Sequence, residues 1–121
     1  MPKKVLVIDD DLTTIKVLQT RLITEGFEVV SALNGEGGLK KLEGMTPDLI
    51  ILDVQMPDMD GYTFLLELRK LKKFNQVPII VLTAHKEMEP IFKFNGVKGY
   101  IVKPVQFDVL FEKMRALRLC V

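Results

Sequence analysis

Apolar residues in this chain fall into two kinds of run. Some are short and unbroken: residues 5–8, 49–52 and 77–82, the last interrupted only by Pro78. Runs of that length without alternation suit strands buried on both faces, as in a parallel sheet. Others recur every three or four positions: Ile15, Leu18 and Leu22; Phe64, Leu65, Leu68 and Leu71; Phe107, Leu110, Phe111, Met114 and Leu117. That spacing lays one apolar stripe along a helix. Two weaker strands complete the set, at residues 27–30 and 100–102.

Punctuation falls between these runs. Gly26 ends the first helix. Asn34-Gly35 is a turn signal. Residues 36–43 make a weak helix, because Gly37 and Gly38 each cost about 1 kcal/mol against alanine and only Leu39 and Leu42 tie it down. Pro47 introduces the third strand. Between the fourth and fifth strands, Pro90 is tolerated only in a helix's first turn. A fourth helix is therefore expected over residues 90–95, stunted, after an irregular loop at 86–89. Ile91, Phe92 or Phe94 must anchor it.

Strand and helix thus alternate five times, which predicts an α/β fold around a parallel sheet. The simplest doubly wound arrangement is flavodoxin-like, with strand order 2-1-3-4-5 and right-handed crossovers. No repeat, linker or low-complexity segment divides the 121 residues, so residues 1–121 are expected to form one domain.

Composition narrows the function. A hydrophobic content of 48% supplies a sizeable core. The single cysteine, Cys120, allows neither an internal disulfide nor a thiolate cluster and suits a reducing cytoplasm. No apolar run is long enough to span a membrane, and the start carries no signal-peptide pattern. A net charge of +1 gives no electrostatic footprint for direct nucleic-acid binding. The basic cluster Arg69, Lys70, Lys72 and Lys73 reads as the solvated end of a helix.

The chemistry concentrates at one edge of the expected sheet. Asp9 and Asp10 follow strand 1, Asp53 follows strand 3, Thr83 ends strand 4, and Lys103 follows strand 5. Open α/β sheets bind ligands at that carboxyl edge. A plainer role for Asp53 is to cap the next helix, but Asp58 and Asp60 are better placed for that. Strands 1 and 3 are neighbours about 4.8 Å apart, so Asp10 and Asp53 can share one cation. Carboxylates at about 4 Å repel by roughly 1 kcal/mol in water and about 4 kcal/mol at an effective dielectric of 20. Lys103 offsets part of that charge. Hard oxygen ligands suit Mg²⁺, or Mn²⁺ in its place. A carboxylate ringed by a cation, a lysine and a hydroxyl can receive a phosphoryl group.

With these residues in place, the chain resembles the receiver domain of two-component response regulators, of the chemotaxis-regulator type. The matching motifs are Val7-Ile-Asp9-Asp10-Asp11, Leu52-Asp53-Val-Gln-Met-Pro57-Asp-Met-Asp-Gly61, Val81-Leu-Thr83-Ala84 and Gly99-Tyr100-Ile-Val-Lys103-Pro104. The likeness covers residues 4–118. It implies that Asp53 is the phosphoacceptor. It implies Mg²⁺ held by Asp10, Asp53 and the Gln55 carbonyl, with Asp9 acting chiefly through water. Thr83, the Ala84 amide and Lys103 would bind the phosphoryl oxygens, and Tyr100 would be the switch aromatic. The Lys103-Pro104 bond would be cis. Asp11 would help start the first helix. The implied donor is a histidine kinase or phosphotransfer protein. The implied target is a downstream effector protein or an output domain fused outside this stretch.

Two positions depart from the usual pattern. Gln55, two residues after the acceptor, is bulkier than the residues often found there, and His85, two after Thr83, is the chain's one histidine. In this family both positions flank the path of attacking water, so both are expected to tune the lifetime of the phosphorylated form. Two rival functions share parts of the pattern. A small aspartyl-phosphate phosphohydrolase places a second acid two residues after its nucleophile, where this chain has Gln55. A flavin or nucleotide module cradles phosphate after strand 1, where Asp9, Asp10 and Asp11 would repel it.

Overall fold

The computed structural model describes residues 2–119; Cys120 lies outside them. Five strands, β1 (Lys4–Ile8), β2 (Glu28–Ala32), β3 (Leu49–Leu52), β4 (Ile79–Thr83) and β5 (Gly99–Val102), alternate with five helices, α1 (Leu12–Thr24), α2 (Gly35–Lys41), α3 (Gly61–Arg69), α4 (Glu89–Phe94) and α5 (Phe107–Ala116). All neighbours pair in parallel, in the order β2-β1-β3-β4-β5. The expected doubly wound, flavodoxin-like sheet is present. No helix among the described residues is long and apolar enough to cross a membrane.

The unbroken apolar runs feed both faces of the sheet. Leu6, Ile8, Ile50, Leu52, Ile79 and Val81 pack with α3 residues Phe64, Leu65 and Leu68 on one side. Val5, Val7, Leu49, Ile51, Ile80 and Leu82 pack with Ile15, Leu18, Leu22, Leu110 and Met114 on the other. Side chains alternate faces along each strand, so a run apolar at every position fills both layers. On that second face the Arg21 guanidinium sits 4.3 Å from the Phe107 ring centroid, joining α1 to α5.

Several boundaries differ from the sequence reading, each for a local reason. β2 starts at Glu28 and runs to Ala32; Phe27 is buried below it, its N–H bonded to the Leu22 carbonyl at 3.0 Å in the turn that closes α1. β4 starts at Ile79, because Pro78 has no N–H for the ladder. Asn34 is the N-cap of α2, its Oδ1 accepting from the Gly37 N–H at 2.7 Å. Leu71 falls off the α3 stripe. The helix ends at Arg69, Leu71 is exposed, and Phe74 of a following 3-10 turn (Lys72–Phe74) takes the buried place. Arg69 secures that turn by donating to the carbonyls of Phe74, Asn75 and Val77.

The glycines of α2 also find their cause. A Cβ on Gly38 would stand 2.5 Å from Ile8 Cδ1 and 3.2 Å from a Phe64 ring carbon. Helix α2 lies so close to β1 and α3 that any Cβ here would force the Ile8 and Phe64 side chains to shift, which accounts for a glycine despite its weak helix propensity. Helix α4 is short, as expected, and a 3-10 turn at Lys86–Met88 leads into it. It starts at Glu89, one residue earlier than read, with Pro90 in its first turn.

Candidate functional site

The carboxyl ends of β1, β3, β4 and β5 bring the expected polar residues together. The Asp9 N–H bonds to the Ala32 carbonyl at 3.1 Å, continuing the ladder one step past β1. Its Oδ1 accepts from the Asp11 N–H at 2.9 Å. Asp11 turns the chain into α1 as its N-cap, accepting from the Thr13 N–H and the Thr14 hydroxyl. Asp10, between them, is exposed.

Asp53 is held in the same way. Its N–H donates to the Ile8 carbonyl at 2.9 Å, and its Oδ1 accepts from the Val54 N–H at 2.8 Å. Val54 in turn accepts from the Gly61 N–H at 2.6 Å, folding the following loop back onto the strand end. Asp60 caps α3, with Oδ1 taking the Thr63 N–H at 2.8 Å. Asp58 does not cap; it occupies the loop at φ 70°. Asp53 is therefore free of the capping role that its position also permitted.

One oxygen each from Asp9, Asp10 and Asp53 lies within 4.8 Å of the others. Asp9 and Asp53 are buried. Lys103 reaches over from the end of β5, its Nζ 2.9 Å from Asp9 Oδ2 and 3.7 Å from Asp53 Oδ2. The Lys103-Pro104 peptide is cis, and the Lys103 N–H donates to the Thr83 carbonyl at 2.8 Å. Burial raises the Asp9 carboxyl above the usual range; the Asp11 N–H and Lys103 pull it back, and the Asp53 charge adds to the push. Burial pulls the Lys103 ammonium down, but its bond to Asp9 and the charges of Asp53, Asp9 and Asp11 outweigh that and hold it above its ordinary value. One ammonium does not neutralise three carboxylates. The donor set, all hard oxygens at short separation, fits a small divalent cation.

Thr83 is fully buried, and its Oγ1 accepts from the His85 N–H at 3.3 Å. Ala84 is exposed. The Tyr100 ring is turned inward, 7% exposed, and packs at 6.1 Å from the Phe92 ring of α4. Its hydroxyl donates to the His85 carbonyl. Burial, then the charges of Glu87, Glu89 and Asp53, push the Tyr100 hydroxyl up to about 12. His85 thus joins Thr83 and Tyr100 through its own main chain.

Gln55 and His85 lie on two walls of one cleft of about 350 Å³, shared with Val54, Asp60, Glu87 and Met88. Gln55 is exposed. His85 Nδ1 stands 3.2 Å from Glu87 Oε1. The sequence reading missed Glu87. The only available signal was an acid two residues after the one histidine, in a loop without periodicity.

The response regulator receiver domain family matches residues 5–115. The chain belongs to this family. Among curated proteins the receiver domain resembles the transcriptional regulatory protein AfsQ1 of Streptomyces coelicolor, 39% identical over 119 residues, 97% of this chain and 51% of AfsQ1. It also resembles the transcriptional regulatory protein GlrR of Escherichia coli, 36% identical over 92% of this chain and 25% of GlrR. The chain spans about half the length of the first of these relatives and a quarter of the second. Among solved structures, the response regulator TrrA of Thermotoga maritima in complex with Mg(2+)-BeF superposes with a TM-score of 0.85, at 37% identity over 95% of this chain and 98% of that one. The chemotaxis protein CheY4 of Vibrio cholerae gives 0.88 at 30% identity, over 96% and 98% of the two chains. Receiver domains are the phosphorylation-based signalling modules of two-component systems, and the likeness to chemotaxis regulators read from the motifs holds for the whole fold.

Proposed function

We propose that this receiver domain accepts a phosphoryl group on Asp53 from a histidine kinase or phosphotransfer protein, in a Mg²⁺-dependent step, and that the modified form switches its partner-binding face. The observation that carries this reading is the placement of Asp53. It is a buried carboxylate at a strand end, with Asp9 and Asp10 within 4.8 Å and the Lys103 ammonium 3.7 Å away. No cap or helix bond occupies its Oδ2 in the described structure beyond that ammonium.

The Asp10 and Asp53 carboxylates and the Gln55 carbonyl would hold Mg²⁺, or Mn²⁺, with Asp9 acting through water. When bound, the cation neutralises charge on the transferred oxygens. The chain's own groups do the rest. The Val54 N–H fixes one oxygen of Asp53, which directs the other toward the donor. Lys103 pairs with the phosphoryl group, and the Thr83 hydroxyl and Ala84 amide bond its remaining oxygens. To do so the Thr83 hydroxyl must leave the His85 N–H, and Tyr100, bonded to the carbonyl of that same residue, registers the change. Gln55 and His85 set the lifetime of the product by placing or excluding water. In this reading residues 1–121 are one domain that assists its own phosphorylation and dephosphorylation without being a turnover enzyme, working in the cytoplasm. Its output passes to an effector protein or to a fused output domain, as the names of the longer relatives suggest.

The test is chemical. Incubation with Mg²⁺ and a small phosphodonor, followed by reductive trapping and mass spectrometry, should place the label on residue 53 alone. Equal labelling of Asp53→Ala would overturn the assignment.

A further inference from the structure

The cleft beside the acid cluster is lined by a side chain, Glu87, that the phosphotransfer reading leaves without a role. His85 and Glu87 both line it together with Gln55, Asp60 and Val54, whose N–H holds Asp53. The two side chains approach at 3.2 Å, Nδ1 to Oε1. Glu87 is held below the usual carboxylate range chiefly by its own backbone N–H, against an opposing push from burial, with the His85 contact adding to the lowering. It is therefore ionised at neutral pH, and an ionised carboxylate can only accept a hydrogen bond. The proton in that contact must belong to Nδ1. A neutral imidazole carries one proton, so Nε2 is left with its lone pair. The ring's tautomer and its rotation about the side-chain bonds are both set by Glu87, while its backbone is pinned by bonds to Thr83 and Tyr100.

We propose that Glu87 is a positioning residue for hydrolysis of the phosphorylated form, holding His85 so that Nε2 is the acceptor offered to water in the cleft. This rests on Asp53 being the phosphoacceptor. In the step, the water oxygen bonds to phosphorus and the bond from phosphorus to the Asp53 carboxylate breaks. The carboxylate is restored, inorganic phosphate leaves, and the water's proton passes to Nε2 and on to solvent. An exposed contact of this kind contributes little to stability, so its effect should appear in the rate and not in the fold.

Two measurements on the whole chain test it. His85 is the only histidine, so nitrogen-15 shifts of its ring nitrogens can be read without assignment. The neutral ring should be protonated at Nδ1 in the wild type and lose that preference in Glu87→Ala. A neutral ring protonated mainly at Nε2 in the wild type would overturn the proposal, whatever Asp53 does. In the second, the protein is phosphorylated with a small phosphodonor and Mg²⁺, and loss of label is followed after donor removal. Glu87→Ala should slow the loss several-fold. Glu87→Gln, which keeps an oxygen acceptor, should restore most of the rate. In a His85→Ala background the Glu87→Ala change should have no further effect. An equal slowing with and without His85, or no slowing at all, would overturn the proposal. Absence of any label on Asp53 would instead strike the phosphoacceptor assignment, and the ring measurement would still decide the role of Glu87.

Discussion

Lys103 stands closer to Asp9 than to Asp53, 2.9 Å against 3.7 Å. The lysine therefore shields Asp9 more than Asp53, the proposed acceptor, whose Oδ2 keeps the looser contact. Even so the Asp9 carboxyl stays raised, because burial outweighs the ammonium.

That shift has a sign that stability measurements can read. Asp9 titrates above its unfolded value of 3.8, so across the interval the folded state holds more protons than the unfolded one. Stability from this group is present at low pH and is lost as pH rises through the interval. Asparagine mimics the neutral carboxyl. In metal chelator, the stability of Asp9→Asn minus that of wild type should grow as pH rises from 3.8 upward and then level off above the raised value. Urea midpoints at a series of pH values give the difference. A difference that shrinks with rising pH would contradict the burial argument.

Asp10 is the exposed member of the cluster, free of Lys103, and its assigned role is the cation alone. Loss of an outer partner of a metal site already costs about 10-fold in affinity, so Asp10→Asn should lose at least that much Mg²⁺ affinity while folding normally. Titration against Mg²⁺ checks it. Equal affinity in the two proteins would remove Asp10 from the ligand set.

Two glycines should respond in opposite ways. A Cβ on Gly61 would fall 2.3 Å from the Asp53 carbonyl and 2.9 Å from Val54 Cα, both backbone atoms that cannot rotate aside. Gly61→Ala should therefore cost about 1–3 kcal/mol, the range for overpacking, and should also weaken Mg²⁺ binding by displacing Asp53. Gly44 has open space around it and no left-handed backbone. Gly44→Ala should be neutral or stabilise by about 0.4–1 kcal/mol through the unfolded state. Denaturant unfolding of both variants measures this directly.

The Tyr100 hydroxyl, buried and facing acids, is pushed up from 10.0 to about 12. The chain has two tyrosines, so Tyr62→Phe leaves Tyr100 as the one chromophore. Its ionisation, followed by ultraviolet absorbance, should centre near pH 12 while the protein stays folded. The folded state keeps its proton where the unfolded state releases it, so stability should fall as pH rises from 10 toward 12. An ionisation near 10 would place the ring outside, in water.

The acid cluster was legible in the sequence because each member ends an unbroken apolar run, and a parallel sheet sends all such ends to one edge. Asp9, Asp53, Thr83 and Lys103 needed only the strand order to be brought together. What stayed hidden depends on contacts between elements that no local pattern encodes. Gly38 looked like a weakness until Ile8 was seen against it. Leu71 carried the right spacing, but Arg69 closes the chain into a 3-10 turn before the stripe reaches it. The Glu87 contact with His85 arises in the short turn after β4, where side-chain direction follows no period, and the Tyr100 hydroxyl of β5 meets that same turn.

Helix α4 combines both situations and supports the last prediction. It has six residues, no side-chain cap at its start, and one fully buried side chain, Phe92. Isolated helices shorter than about 12 residues are marginal in water, so packing must hold it. That packing is aromatic: Phe92 lies 5.9 Å from the Tyr62 ring and 6.1 Å from Tyr100. Ile91 and Phe94, the other two candidate anchors, are 44% and 88% exposed. Phe92→Ala should cost about 3–5 kcal/mol, whereas Phe94→Ala should stay within about 0.5 kcal/mol. With a single anchor, the helix should open locally far more often than the sheet. Amides across residues 86–95 should exchange much faster than those of β3 and β4 in the unmodified protein. Beryllofluoride with Mg²⁺ should slow them if, with Thr83 drawn toward Asp53, the Tyr100 ring that bonds the His85 carbonyl and packs on Phe92 is held more firmly in place. Protection of α4 equal to that of β4 without beryllofluoride would show that the helix is held by more than Phe92.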